Sequence, residues 1–537
     1  MTTLVANFLK KIDNDKELEA TVRFIIAEVL PPWSEYELGI GFKSIYNVVN
    51  TLTNASYKTW LDYFNKCGDI GTTVMMLLKE KRVVTPFVSL KPLTILEVYN
   101  TLINIAKIQG EEIRKRKEKA LLSLYARASP LEAKYITKII LGERRQGFGE
   151  GLMEEAIAKA FEVPFDLVHR VNMLISDIGL TAIIAKRGKN ALEKQSIILF
   201  HPIKPMLAEK AENLREPIRE YGEAIFDYKL DGARVQIHKK GDKVKIFSRR
   251  LNDVTKSLPE VVTTILEKVK ANEVIVEGEV IALSKEGKLL PFQYLMRRFR
   301  RIREVSSLKR EIMVKVYLFD ILYVDGRLLI DEPLYIRREI LEKIADKDII
   351  IESIRTSDLE TVRKFFEKAI SEGHEGLVAK DPNSKYTPGI RGKKWLKIKA
   401  SPYTLDLVIV AAEYGHGYRY KYLSDYHLAA YDPKTDQFLV VGKCFTGLTD
   451  DELEMMTKRL KEIAIRQVGR IVYVQPKIVV EVGFAEIQKS PHYPSGFALR
   501  FPRILRIRDD KAPREADTID TIRRLYEEQQ KKKQKIN

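Results

Sequence analysis

The spacing of apolar residues changes twice along the chain, and those two changes constrain the fold more than any other feature. Up to about residue 195, "LEATVRFIIAEVL", "KSIYNVVNTLTN", "LTILEVYNTLINIAKIQ" and "GLMEEAIAKAFEV" carry apolar side chains three and four apart, broken by Gly, Pro and Asp. That spacing predicts helices. From "AIFDYKL" onward, short alternating runs rich in Val, Ile, Phe and Tyr are interspersed with helical patterns such as "LPEVVTTILEKVK" and "LETVRKFFEKAI", the signature of an α+β domain, with "SIILFHPIKPMLAEK" as the junction. After about residue 400 the strands "LDLVIVAAEY", "YHLAAYD", "FLVVGKCF" and "KIVVEVGF" surround one helix, "DDELEMMTKRLKEIA", which suits a small β-barrel of the OB type. A chain of 537 residues is too long for one core. The expected layout is therefore an all-α domain over 1–200, an α+β domain over 205–399, and an OB-type domain over 400–537 with a basic tail, "EEQQKKKQKIN".

The net charge of +18, on a chain in which 31% of residues are charged, points to an anionic partner, with nucleic acid or nucleotide first. Two cysteines, Cys67 and Cys444, build neither a disulfide framework nor a four-cysteine zinc module. The start, "MTTLVANFLKKIDNDK", has no signal-like pattern, and no stretch approaches the roughly 18 apolar residues of a membrane span. A cytosolic protein without a membrane partner is expected.

Residues 223–250, "EAIFDYKLDGARVQIHKKGDKVKIFSRR", raise a chemical question. Strand alternation places Asp227, Lys229 and Asp231 on one face, Gly232 lets the backbone turn or approach a ligand, and Arg249 and Arg250 end the next basic strand. A lysine so placed is either an ion-paired structural residue or a nucleophile. To attack phosphorus it must be a neutral amine, so its pKa has to fall from about 10.4 through burial or neighbouring cations. "KKWLKIK" offers such cations, with Lys397 and Lys399 on one strand face and Leu396 and Ile398 turned to the core.

A lone Lys-x-Asp-Gly string carries little weight. Here it opens an ordered series: "YKLDGAR", "FSRR", "VEGEVIA", "LFDILYVDG", "EGLVAK" and "WLKIK", continuing through "GKCFTGLTDDEL" and "VVEVGFAEIQKSPHY" to "ALRFPRILRIRDDK". Together these resemble the motifs of ATP-dependent DNA ligases over about residues 205–514, most of all the archaeal and eukaryotic replicative enzymes. The resemblance implies a helical DNA-binding domain, a nucleotidyltransferase (adenylation) domain and an OB-fold domain. It implies sealing of nicks in double-stranded DNA in replication, repair and recombination. It makes Lys229 the nucleophile that takes AMP from ATP. Asp227 stands where the family has Glu, Asp or Thr contacting the adenine or neighbouring backbone. Arg234 and Arg249 match arginines that hold the nucleotide or the nick phosphate. Phe319 matches the aromatic that stacks on adenine, and Lys397 and Lys399 match lysines that hold the α-phosphate. Glu279 and Glu375, with Glu277 as a secondary candidate, match ligands for Mg²⁺, Mn²⁺ being the alternative. Arg508, Asp510 and Lys511 match residues that orient pyrophosphate during self-adenylation.

Two stretches read as binders of the DNA backbone. "ERRQGFGEGLMEEAIAKAF" sets Arg144, Arg145, Gly147 and Gly149 ahead of a helix whose first amides can hold a phosphate, and "MRRFRRIR" clusters Arg297, Arg298, Arg300 and Arg301. Contacts of this kind are independent of sequence and steeply salt-dependent. The resemblance also implies a monomer recruited by a ring-shaped sliding clamp, although "QSIILFHP" has the glutamine and hydrophobics of a clamp-binding peptide without its paired aromatics. mRNA guanylyltransferases and RNA ligases share the lysine motif but not the all-α amino-terminal region. NAD-dependent ligases have zinc-binding cysteines that this chain lacks. A silent nick-binding scaffold would not need Lys229, Glu279, Glu375, Lys397 and Lys399 all intact.

Overall fold

A computed structural model describes residues 1–81, 92–143, 147–284, 287, 289–290, 292–299, 312–399 and 403–535. The chain divides into two compact units, Met1–Ala369 with His374–Ile398, and Ile370–Gly373 with Lys399–Asn537.

The first unit begins with helices where the apolar spacing predicts them: Asp15–Ile25, Phe42–Thr53, Ile95–Lys107 and Glu150–Phe161. Their ends follow from local chemistry. Thr94 accepts from the Glu97 amide at 3.2 Å while the Glu97 carboxylate accepts from the Thr94 amide at 2.9 Å, so two otherwise orphaned donors are satisfied. Asn54 and Gly142 close their helices in the left-handed conformation. One group of helices encloses a core around Ile45, Trp60, Leu77, Leu102 and Tyr125. Others share a buried cluster, including Leu9, Ile157 and Leu174, that continues into Phe226, Leu377 and Leu396 of the sheets. That continuity joins the helical and α+β regions in one unit.

Two sheets follow. A five-stranded sheet has the order Leu207–Lys210, Arg391–Lys399, Gly376–Lys380, Ala224–Lys229, Ser353–Thr356. In the other, Lys243–Ser248, Ala233–Lys240, Glu273–Leu283, Met313–Val324 and Arg327–Leu328 lie in that order, with Leu289–Leu290 paired to Glu273–Leu283. The strand of Lys229 ends at that residue, and the next strand, in the other sheet, starts at Ala233. The continuous strand face expected for Asp227, Lys229 and Asp231 therefore holds only for the first two. Asp231 lies in the link, because the chain changes sheets there.

The second unit is built on antiparallel strands in the order Gln437–Cys444, Leu423–Asp432, Tyr403–Tyr414, Ile471–Val474, Ala464–Val468, and Val479–Phe484 joins Tyr403–Tyr414 to Arg503–Ile507. The helix Asp450–Glu462 starts on a Thr449–Glu452 capping box. These strands and this helix match the OB-type expectation, and Leu407, Leu428, Val441, Met456 and Val480 are at its centre.

Ion pairing inside the first unit is unusually deep. Arg337 and Asp320 are both fully buried, joined at 2.8 and 3.0 Å, and Arg337 also donates to the carbonyls of Glu332 and Ser384. Asp320→Asn leaves the guanidinium without its counter-charge, and the expected cost is about 3–5 kcal/mol. Denaturant unfolding of the full chain checks this, since a midpoint equal to wild type contradicts it.

Candidate active site

Lys229 sits where the two sheets meet. Its strand pairs antiparallel with Gly376–Lys380, so that Lys229 faces Gly376, Asp227 faces Val378 and Ile225 faces Lys380. The Glu375 amide donates to the Lys229 carbonyl at 2.8 Å, and the Glu375 carboxylate lies 2.7 Å from Lys229 Nζ, with both side chains mostly buried. Gly376 has φ of +142°, a backbone state that glycine alone adopts readily. The link after Lys229 is equally confined. A Cβ at Gly232 would stand 2.5 Å from the Val280 carbonyl oxygen and 2.8 Å from Glu279 Cγ. Glycine thus presses the lysine loop against the strand that carries Glu279.

The carboxylates converge on the same place. Burial pushes the Glu279 carboxyl up to about 7, with Lys229 and Arg234 pulling it down and Glu375 and Asp231 adding to the rise. Among the described residues no group of three or more His, Cys, Asp or Glu is arranged to hold a metal by itself. Two hard carboxylates that leave the remaining positions to phosphate oxygens and water are the donor set a Mg²⁺-like ion accepts, so Glu279 and Glu375 fit a divalent cation.

Glu277 is buried and 2.5 Å from the Arg234 guanidinium. Arg234 also donates to the carbonyl of Met206 at 2.6 Å and to Tyr386 Oη at 3.3 Å, and although burial opposes its charge, Glu277 and Tyr386 keep it firmly protonated. Its Nε is buried with no hydrogen-bond partner among the described residues. A buried donor left over in this way costs free energy until an acceptor arrives, which favours an anionic or polar ligand at the pocket. Phe319 is 7% exposed and meets Trp395 edge to face, with ring centroids 6.2 Å apart. The Arg234 guanidinium carbon lies 5.4 Å from the Phe319 ring.

Asp227 is more committed than expected. It is buried, paired with Arg338 through one oxygen and with Lys380 at 2.6 Å through the other. Lys397 is half-buried and Lys399 exposed on one side of the strand Arg391–Lys399, while Leu396 and Ile398 are buried as the alternation predicts. Arg249 and Arg250 are exposed in the turn after Lys243–Ser248, ahead of Leu251 at φ of +67°. Arg508, Asp510 and Lys511 lie in the second unit. Arg508 binds Asp406 at 3.0 Å and Asp510 at 2.8 Å, Lys511 binds Asp406 at 2.6 Å, and the hydrogen bond from Arg508 holds the Asp510 carboxyl down to about 2.

Of the residues expected on the DNA backbone, Arg144, Arg145, Arg300 and Arg301 and the side chain of Arg297 lie outside the described residues. Gly147 is exposed at φ of +65°, and Gly149 is the N-cap of Glu150–Phe161. Arg298 departs from the expectation. It is 2% exposed, gripped by both oxygens of Glu260 at 2.8 Å and donating to the carbonyls of Ser257 and Ile312. Its helix, Phe292–Phe299, turns that arginine inward, which a count of like charges does not reveal. Reading along the sequence also missed Arg338, Lys380, Tyr386 and Trp395. "YIRREI" and "EGLVAK" gave no sign that their basic residues are buried together.

Comparison with known proteins places this geometry. Residues 205–399 match the family model described as ATP dependent DNA ligase domain, residues 1–158 the DNA ligase N terminus, and residues 419–511 the ATP dependent DNA ligase C terminal region. The DNA ligase of Thermococcus onnurineus is 46% identical over 539 residues, 99% of this chain and 95% of that one. The DNA ligase of Archaeoglobus fulgidus is 43% identical over 530 residues, 98% of this chain and 95% of that one. A solved structure described as Pmar-Lig_PreS3, 17% identical, covers 95% of this chain and 99% of its own at a TM-score of 0.53, a likeness of fold. Matched over nearly its whole length by relatives at 46% and 43% identity and by three ligase family models, the chain belongs to the ATP-dependent DNA ligases, which use ATP and a divalent metal to seal nicks in DNA through an adenylate intermediate.

Proposed function

We propose that Lys229 is the adenylated residue. In the first step Nζ forms a bond to the α-phosphorus of ATP as the bond to pyrophosphate breaks. AMP then passes from Lys229 to the 5′-phosphate of the nick, and the 3′-hydroxyl attacks that phosphate and releases AMP. The observation that carries this assignment is the placement of Lys229 at the junction of the sheets, 2.7 Å from Glu375 and beside Glu279. Glu375 fixes where the amine points, and Gly232 lets the link after Lys229 lie against the strand of Glu279. Phe319 stacks on the adenine, Arg234 offers its unsatisfied Nε–H, and Arg249, Lys397 and Lys399 hold phosphate charge.

Glu279 and Glu375 would hold Mg²⁺, with Mn²⁺ the alternative, and the bound ion would neutralise phosphate charge. Arg508, Asp510 and Lys511 orient pyrophosphate. The functional division is a helical DNA-binding domain over 1–200, the adenylation domain over 205–399 and the OB-fold domain over 400–537. The enzyme works as a cytosolic monomer on nicked double-stranded DNA, and recruitment by a sliding clamp belongs to the same proposal. Among the described residues no helix is long and apolar enough to cross a membrane. Gly147 and Gly149, with Arg144, Arg145, Arg297, Arg300 and Arg301, form the proposed DNA-backbone contacts.

The direct test is covalent labelling with ATP radioactive at the α-phosphate, in Mg²⁺ and without DNA, followed by a denaturing gel. Wild type is expected to carry label that nicked DNA chases into AMP, and Lys229→Ala none. Label on Lys229→Ala, or its absence from wild type, rejects the assignment. Glu279→Gln is expected to form label at least tenfold more slowly.

Arg298 is left out of the DNA contacts, and this too has a measurable consequence. Arg298→Leu strands Glu260 and should lower the denaturant midpoint, while the slope of log K against log salt for nicked DNA stays at the wild-type value. A slope smaller by about one would return Arg298 to the DNA surface.

A further inference from the structure

We infer that Gln236 is a positioning residue that ties Arg234 to the segment Phe200–Met206, so that occupancy of the nucleotide pocket and the grip of the helical region on nicked DNA are coupled. The inference rests on the reading that Arg234 faces the nucleotide and that the helical region binds DNA. Arg234, Gln236 and His238 alternate along one face of the strand Ala233–Lys240, with Val235 and Ile237 turned the other way into an apolar core. Neighbours in that row stand about 7 Å apart.

Each member of the row takes a backbone group of the segment that arrives from the helices, in antiparallel order. Arg234 donates to the Met206 carbonyl at 2.6 Å. Gln236 accepts from the Ile203 amide at 2.7 Å and donates to the Ile203 carbonyl at 3.0 Å. His238 Nδ1 accepts from the Phe200 amide at 3.0 Å, which leaves the ring proton on Nε2 to be donated to Gln236 Oε1 at 2.9 Å. Gln236 Nε2 also donates to one Glu277 oxygen at 3.4 Å, and the other Glu277 oxygen holds Arg234 at 2.5 Å. Gln236, His238 and Glu277 are all buried. Both lone pairs and both hydrogens of the Gln236 amide are thus engaged, and a reversed amide would set donor against donor at Ile203.

The other contacts of the same segment are made by the helices. Trp33 lies against His201 with ring centroids 3.9 Å apart and donates its indole N–H to the Ser176 carbonyl at 3.0 Å. The Lys204 amide donates to the Met173 carbonyl at 2.9 Å, and the Lys204 ammonium pairs with Glu150. The segment is therefore a layer shared by the helices and the strand row. Arg234 Nε is buried without a hydrogen-bond partner among the described residues. An anion that engages it weakens the hold of Glu277 on the same guanidinium, and through Gln236 that change reaches Ile203 and the helices beyond it. Such coupling is reciprocal, so DNA that displaces the helices also changes the pocket.

The test is the affinity of the full-length enzyme for a nicked duplex with a 5′-phosphate, measured in EDTA so that no sealing occurs. Lys229 is either adenylated or cleared beforehand with pyrophosphate. Adenylation should shift the wild-type Kd by at least about fivefold, and Gln236→Met should reduce that shift to less than about twofold. Gln236→Glu keeps the acceptor for Ile203 and His238 but loses the donor to Glu277. It should reduce the shift likewise, and it carries the test should Gln236→Met not fold. A purely structural role predicts weaker binding in both states with the shift unchanged. That result in either folded variant, or a wild type without a shift, overturns the inference. Covalent labelling of the same preparations separates the two levels. Unlabelled wild type removes the reading of the pocket and the inference with it, whereas labelled variants with an unchanged shift remove the inference alone.

Discussion

The geometry of the first unit depends on a chain crossing. Between Lys229 and Ala233 the backbone leaves one sheet and enters another, and it can do so only because Gly232 passes within contact of the Val280 carbonyl. The crossing sets the lysine at a sheet end, where its side chain reaches the space between the sheets. It also brings Arg234 opposite Glu279 in the next ladder. A lysine and an arginine from one turn are thereby set beside a carboxylate of the neighbouring strand. Rigid strands hold them, which suits a reaction that is mostly positioning and electrostatics.

Around that crossing the enzyme buries charge in matched sets. Arg234 with Glu277, Arg337 with Asp320, and Asp227 with Arg338 and Lys380 are three such sets. Within them every carboxylate is occupied by a cation. Glu279 differs from these: burial raises its carboxyl, Lys229 and Arg234 oppose the rise, and Glu375 and Asp231 add to it.

Much of this was legible in the sequence, and the reasons it was or was not are physical. Helix and strand regions followed from period, because burial on one face imposes it. The burial of Leu396 and Ile398 followed from alternation, and the ordered motifs named Lys229, Glu279 and Glu375, which the fold brings near one another. Asp231 did not, because alternation assumes a continuous strand and Gly232 ends it. Arg298 did not, because a cluster of arginines reads as surface until one finds a carboxylate such as Glu260 to neutralise it. Lys380 and Arg338 were invisible for the same reason. Long-range pairing decides whether a basic side chain is exposed, and their common partner Asp227 is more than a hundred residues away from each.

The second unit applies the same rule to its own basic groups. Arg508 and Lys511 both bind Asp406, and Arg508 also closes on Asp510. Their positive charge is therefore spent within the unit until a competing anion arrives. Any phosphate bound here would exchange with these carboxylates, so the free energy gained would be the difference between two ion-paired states. That difference is smaller than the attraction of a free arginine for phosphate, and an ion-paired set of this kind is opened and restored at little net cost.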